Sequence, residues 1–195
     1  MENMSTTFPI LETSRLRLRQ LTPADAPALL RIHSDAATMR WFGVDPMQSV
    51  EEAERIIDAF NGWFVASSGI RWGLELRDHK RDGMRGSDRL IGTCGLFRWN
   101  KNWRHCALGY ELARDCHGQG YMREALTEVL NFGFTVMELH RVHAEIHRDN
   151  LASIRLVQGL GFRFEGVHRE TAYWGGQWHD LGSYSLLAQE WREEC

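Results

Sequence analysis

Leu16 and Leu18 alternate with Arg15, Arg17 and Arg19, the period of two expected of a half-buried strand. Helical spacing takes over after Thr22-Pro23-Ala24-Asp25, with Thr22 as N-cap and Pro23 at the first helical position, and continues through Leu29, Leu30 and Ile32. Ser49-x-x-Glu52 reads as a capping box, and Ala53, Ile56, Ile57, Phe60, Trp63 and Phe64 form the apolar stripe behind it. Between these helices, Arg40-Trp41-Phe42-Gly43 reads as a loop carrying partly exposed aromatics. From residue 70 the period returns to two: strands are expected at Trp72–Leu76, at Leu90–Trp99 and through Cys106, Leu108, Tyr110 and Leu112. The polar run Asp78–Asp88 is the loop joining the first two. Gly118-Gln119-Gly120 then opens a helix with Met122, Ala125, Leu126, Val129 and Leu130 on one face. Val142, Ala144 and Ile146 mark a further strand, and a short helix from about Asn150 to Leu160 stops at Gly161. Two strands near 162–174 and 180–188 close the chain. The order β-α-α-β-β-β-α-β-α-β-β, with no repeat or linker, predicts one mixed α/β (α+β) domain over residues 1–195.

Composition narrows the function. The 195 residues are 43% hydrophobic and 25% charged, which suits one soluble globular domain. Net charge is −3, so general binding to a nucleic-acid backbone, which needs a basic surplus, is not expected. The four cysteines, at 94, 106, 116 and 195, form no Cys-x-x-Cys pair, which argues against zinc ribbons and thioredoxin-type redox motifs. The first 30 residues lack the apolar run of a signal peptide and no stretch approaches 18 apolar residues, so a reduced, cytoplasmic protein away from membranes is expected.

The junction Leu112-Ala113-Arg114-Asp115-Cys116-His117-Gly118-Gln119-Gly120-Tyr121-Met122 leads a strand through a glycine loop into a helix. Such a loop leaves backbone N–H groups open at the positive end of a helix dipole, where a phosphate can bind. Two nucleotide readings fail: no lysine follows Gly120 as a Walker loop needs, and the third glycine of a dinucleotide fingerprint is replaced by Arg123.

Ala107-Leu108-Gly109-Tyr110-Glu111-Leu112, continued by Gly118-Gln119-Gly120-Tyr121-Met122-Arg123-Glu124-Ala125-Leu126, resembles the acetyl-coenzyme A motif of GNAT-superfamily N-acetyltransferases. It is most similar to the branch that includes the ribosomal-protein N-terminal (alanine/serine) acetyltransferases. Asn150-x-x-Ser153-x-x-Leu156-x-x-x-Leu160-Gly161-Phe162 resembles the superfamily's second motif. Leu11-Glu12-Thr13-x-Arg15-Leu16-x-Leu18-Arg19 and Asp180-x-x-x-Tyr184-x-Leu186-Leu187-x-x-Glu190-Trp191 match the same branch, so the resemblance runs over about residues 10–192. It implies a GNAT fold: a mixed, mostly antiparallel sheet of about seven strands, flanked by helices and splayed at the cofactor cleft. It also implies acetyl transfer from acetyl-CoA to a primary amine, foremost the N-terminal α-amine of a protein such as a ribosomal protein. Polyamines or aminoglycosides are the alternative acceptors, and a non-catalytic coenzyme A-binding module is the alternative class. A monomer or homodimer is expected.

The implied cofactor contacts are Glu111, Leu112, Ala113, His117, Gly118, Gln119, Gly120, Tyr121, Met122, Asn150 and Ser153. His117 and Met122 depart from the usual loop, but main-chain N–H groups do the binding there. Val157 stands where many relatives carry a tyrosine acid, so the proton donor must lie elsewhere; Ser153 is the first candidate and Tyr184 the reserve. The reaction needs a neutral amine, and an α-amine with pKa about 7.7–8.0 is partly neutral near pH 7.5, whereas a lysine amine near 10.4 is not. Glu145 is the first candidate base, where relatives place a glutamate, and Glu111 is the second. His143, Glu145 and His147 share a strand face and resemble metal ligands by type, but the outer pair spans about 13 Å on an extended strand, too far to converge on one ion, so no metal is expected.

Overall fold

The computed structural model describes residues 7–77 and 90–194. The loop expected over Asp78–Asp88 lies outside them. In chain order the strands are β1 (Leu11–Glu12), β2 (Leu16–Arg19), β3 (Ile70–Leu76), β4 (Leu90–Asn100), β5 (His105–Leu112), β6 (Arg141–His147), β7 (Arg163–Trp174) and β8 (Gln177–Leu187). The helices are α1 (Ala26–His33), α2 (Ala36–Met39), α3 (Val50–Val65), α4 (Tyr121–Thr135), α5 (Leu151–Gln158) and α6 (Ala188–Glu194). The strands form one sheet in the order β1-β2-β3-β4-β5-β6-β8-β7, antiparallel throughout except between β5 and β6.

Among the described residues eight strands rather than about seven are present, because β1 has only two residues, too few to show a period. The four-residue α2 escapes for the same reason. α6 begins directly after β8, where the Leu187 N–H donates to the Glu190 carboxylate at 2.9 Å and turns the chain. The first helix also starts later than its N-cap suggests. Buried Asp25 accepts from the Thr22 N–H at 2.8 Å and from both Arg19 terminal nitrogens at 2.8 Å. These bonds close a 3-10 turn over Pro23–Asp25 before α1 begins at Ala26.

The cross-strand register sorts side chains onto two faces. Trp72, Cys94 and Tyr110 lie side by side across β3, β4 and β5, and Trp72 meets Phe132 of α4 edge-on, so this row faces α4. The next positions, Gly73, Thr93 and Glu111, point the opposite way, as does Arg71, whose guanidinium sits 4.7 Å from the Phe60 ring of α3. Tyr110 and Glu111 are neighbours in sequence yet serve opposite sides of the sheet.

β5 and β6 pair only at His105/Arg141, Cys106/Val142 and Ala107/His143. Beyond them the strands part, while β6 remains fully paired to β8 on its other edge from Arg141 to His147. The sheet is therefore splayed, with β5 main chain from Leu108 onward released from its neighbour.

Candidate active site

The glycine loop sits at the end of the released strand. The Cys116 N–H donates to the Ala113 carbonyl at 2.9 Å and the His117 N–H to the Arg114 carbonyl at 3.2 Å. The open set therefore starts one residue later than expected: the N–H groups of Gly118, Gln119, Gly120, Tyr121 and Met122 have no partner among the described residues. Gly118 and Gly120 hold φ of 72° and 80°, the left-handed region that lets these groups converge at the start of α4. The His117 ring folds back, its Nε2 donating to the Leu112 carbonyl at 2.9 Å.

Arg15 straps the β1–β2 turn onto this loop. Its Nε is 2.6 Å from Glu124 Oε2, its Nη1 donates to the Gln119 carbonyl at 2.9 Å, and its guanidinium lies 4.5 Å from the Tyr121 ring. Burial pushes the Glu124 carboxyl up, but bonds from the Thr13 hydroxyl, the Arg15 N–H and side chain, and the Ser14 hydroxyl outweigh it and bring its pKa to about 2.

Where β5 and β6 part, a cavity of about 340 Å³ opens, within the usual size range of small-ligand sites. The aromatic rings of Trp41, Phe42, Phe60, Trp63 and Phe97 line one part of it, beside aliphatic side chains such as Val44, Met47 and Ile56. Ser153, Asn150, Glu145 and Tyr110 reach it, and so do His33 and Arg71. Asn150 caps α5, its Oδ1 accepting the Ser153 N–H at 3.2 Å, so its amide NH₂ remains available. Glu145 is about a third exposed and pairs with His168 Nδ1 at 3.0 Å. Tyr184 is not brought to the cavity: it is buried in the core with its ring 5.3 Å from Phe164.

Glu111 is the hub of a buried network on the α1/α3 side. It accepts from Arg71 Nη2 and the Thr93 hydroxyl, and its Oε1 lies 3.1 Å from His33 Nε2. Arg71 Nε also donates to the Thr93 hydroxyl at 2.6 Å. Burial pushes the Glu111 carboxyl up, but Arg71, His33 and Thr93 together outweigh it and hold its pKa below the ordinary carboxylate value. On the other face, burial pushes the Tyr110 phenol up to about 12, with Ser153 opposing; the two hydroxyls do not reach the geometry of a formed hydrogen bond.

Two buried side-chain atoms on this cavity lack a hydrogen-bond partner among the described residues: His33 Nδ1 and the Tyr110 hydroxyl. Sequence reasoning missed both residues. The available signals were a hydroxyl inside the apolar alternation of β5, and a histidine four residues after Leu29 on the buried stripe of α1. Among the described residues no group of three or more His, Cys, Asp or Glu gathers as a metal site, and no helix is long and apolar enough to cross a membrane.

Residues 15–163 match the family model described as an acetyltransferase (GNAT) domain. The chain is 37% identical over 180 residues, 92% of its length and 97% of the relative's, to a Bacillus subtilis (strain 168) protein named uncharacterized N-acetyltransferase YoaA. Over 86 residues, 44% of each chain, it is 33% identical to the ribosomal protein uS5-alanine N-acetyltransferase of Escherichia coli (strain K12). The solved structure of spermidine N-acetyltransferase from Vibrio cholerae, in complex with CoA and spermine, shares the fold with a TM-score of 0.76 at 22% identity, covering 92% of this chain and 99% of that one. The chain belongs to the GNAT acetyltransferase family and is an acetyl-CoA-dependent N-acetyltransferase.

Proposed function

We propose that the acceptor is the N-terminal α-amine of a protein, with ribosomal proteins as the first candidates. The observation that carries this reading is the charge of the acceptor cavity. Among the described residues Glu145 is the one carboxylate that lines the cavity, and His168 lies 3.0 Å from it; Glu111, in the buried network beside His33, is neutralised by Arg71. A polyamine or aminoglycoside brings several ammonium groups and needs several unpaired acids. A peptide terminus brings one ammonium followed by uncharged main chain, and the aromatic wall suits an apolar first side chain. The E. coli uS5-alanine enzyme among the relatives supports the same acceptor class.

The open N–H groups of Gly118–Met122 suit the pyrophosphate of acetyl-CoA, and the released main chain of Glu111, Leu112 and Ala113 suits its pantetheine amides. Asn150, through its amide NH₂, and Ser153 would hold the arm at the start of α5. Acetyl-CoA supplies an acyl carbon activated as a thioester. Ser153 and Tyr110, which both reach the cavity, would give a proton to the departing sulfur, with Ser153 foremost. Glu145, at the rim, draws the ammonium form of the amine toward the cavity.

Thiol release measured across N-terminal peptides, lysine peptides, polyamines and aminoglycosides tests the reading. The expected result is the highest kcat/KM for an N-terminal peptide. Equal or better turnover of a polyamine or aminoglycoside refutes it.

A further inference from the structure

We propose that His33 is the base that takes the proton from the acceptor amine, and that Glu111 positions it. The assignment deepens the reading above, since it requires the aromatic cavity to be the acceptor site.

His33 ends α1 with only 1% of its surface exposed, and it lines the cavity. Its Nε2 faces Glu111 Oε1 at 3.1 Å. An ionised carboxylate only accepts, so the proton of the neutral imidazole sits on Nε2 and the lone pair sits on Nδ1. That Nδ1 has no partner among the described residues. A buried acceptor left bare is unfavourable unless a ligand's N–H completes it, and an amine bound in the cavity carries that group.

The surroundings suit the task. From β5, Glu111 fixes the tautomer and stabilises the imidazolium as it forms. From β3, Arg71 neutralises the standing charge of Glu111, which keeps that carboxylate from serving as the base itself. From β4, the Thr93 hydroxyl donates to Glu111 Oε1, and from the loop after α2 the Phe42 ring packs edge-on to the imidazole at 5.2 Å. Glu145, on the cavity rim, is engaged by His168, and His143 and His147 share its face of β6, His147 stacked on Trp41. The hydroxyls of Ser153 and Tyr110 sit across the sheet from His33, so proton removal and proton donation occupy opposite sides of the cleft.

The proton count closes from the neutral amine, the ammonium form having first lost one proton to solvent. The amine nitrogen bonds to the acyl carbon, and the carbon–sulfur bond breaks with its electron pair going to sulfur. The nitrogen's proton passes to His33 Nδ1, and sulfur takes a proton from the hydroxyl side. His33 then releases its proton to solvent, and the hydroxyl is reprotonated from solvent.

Nitrogen-15 spectra of the imidazole rings in the acetyl-CoA-free protein give a readout that needs no turnover. The neutral His33 imidazole should be the Nε2–H tautomer, and Glu111→Gln should shift it toward Nδ1–H. In turnover, using whichever amine reacts best, His33→Ala should lower kcat about 100-fold or more while acetyl-CoA affinity stays. It should also abolish the acidic limb of the pH–rate profile, whereas Glu145→Gln should keep that limb. An Nδ1–H tautomer in the wild-type protein, or an acidic limb that survives in His33→Ala, overturns the assignment. Because the tautomer is read on unmutated protein, a variant that fails to fold leaves the decision intact. Because any reactive amine serves, the outcome is independent of the acceptor ranking.

Discussion

The ring of Trp41 lies stacked on that of His147, with centroids 4.3 Å apart and planes 20° from parallel. His147 in turn meets Trp174 and His179 at 6.0 and 5.3 Å, and those two stack on each other at 3.6 Å. One aromatic run thus ties the loop after α2 to the ends of β6, β7 and β8. The next residue in that loop, Phe42, packs on His33. The acceptor wall and the proposed base are therefore held by the same clamp, each aromatic pair adding about 0.5–1.5 kcal/mol beyond its burial.

Trp41→Ala should release the loop and widen the cavity. Acceptor KM is expected to rise about tenfold, the equivalent of ~1.4 kcal/mol. Acetyl-CoA affinity should change little, since Trp41 belongs to the acceptor cavity and not to the glycine loop. Steady-state kinetics with each substrate varied in turn check this.

Gly120→Ala tests the phosphate cradle. A methyl group there meets only Arg15 Nη2, at 3.5 Å, so the cost in the free protein is conformational. The left-handed φ of 80° makes that cost about 1–2 kcal/mol of stability. The displaced N–H groups should also weaken acetyl-CoA by tenfold or more in calorimetric titration. Unchanged affinity would place the pyrophosphate elsewhere.

Ser153→Ala should lower kcat about 10–100-fold with acetyl-CoA affinity nearly intact, as befits a hydrogen bond of about 1.5–3 kcal/mol to a charge that develops only during reaction. Tyr110→Phe should have a smaller effect alone. If the two hydroxyls substitute for one another, the double variant should lose more than the product of the single losses. A Ser153→Ala enzyme with full kcat would transfer the role to Tyr110 or to water.

Local order made the strand–glycine loop–helix junction legible in the sequence. Strand alternation through Leu112, two glycines, and the stripe from Met122 to Leu130 all lie within about twenty residues. Glu111, Asn150, Ser153 and Glu145 were visible beside recognisable motifs. The Glu111 network was not, because it is assembled across the sheet. His33 and Arg71 lie 78 and 40 residues from Glu111, and no local pattern records such a pairing. Arg71 was further hidden because β3 is buried on both faces from Ile70 to Leu74, which erases the alternation that would mark an inward charge. Tyr110 passed as one more apolar position in its strand. Tyr184 showed the opposite error: its type suited a proton donor, but its register beside Ala144 places it in the core.

Glu124 should give the strap at the cofactor loop an acid sensitivity. Its folded pKa of about 2 lies below its ordinary 4.5, so the carboxylate contributes stability above about 4.5, and that contribution is lost as pH falls through about 2. Glu124→Gln should therefore lower Tm at neutral pH, by about 2–4 °C for each kcal/mol in a chain of this size. The gap between variant and wild type should close as pH falls toward 2. Glu165, held at about 2 chiefly by its hydrogen bonds from Arg141, remains in both proteins and keeps their shared acid sensitivity. Thermal melts across this range check the convergence.

Acceptor identity is tested most directly by a peptide that offers both kinds of nitrogen, a free α-amine and one internal lysine. After partial reaction with acetyl-CoA, fragment masses locate the acetyl group, and spermidine included at equal concentration reports competing small-amine turnover. The account predicts acetyl on the N-terminal nitrogen, at least tenfold over the lysine side chain and over spermidine. Acetyl chiefly on the lysine, or spermidine acetylated while the peptide stays unmodified, would contradict it.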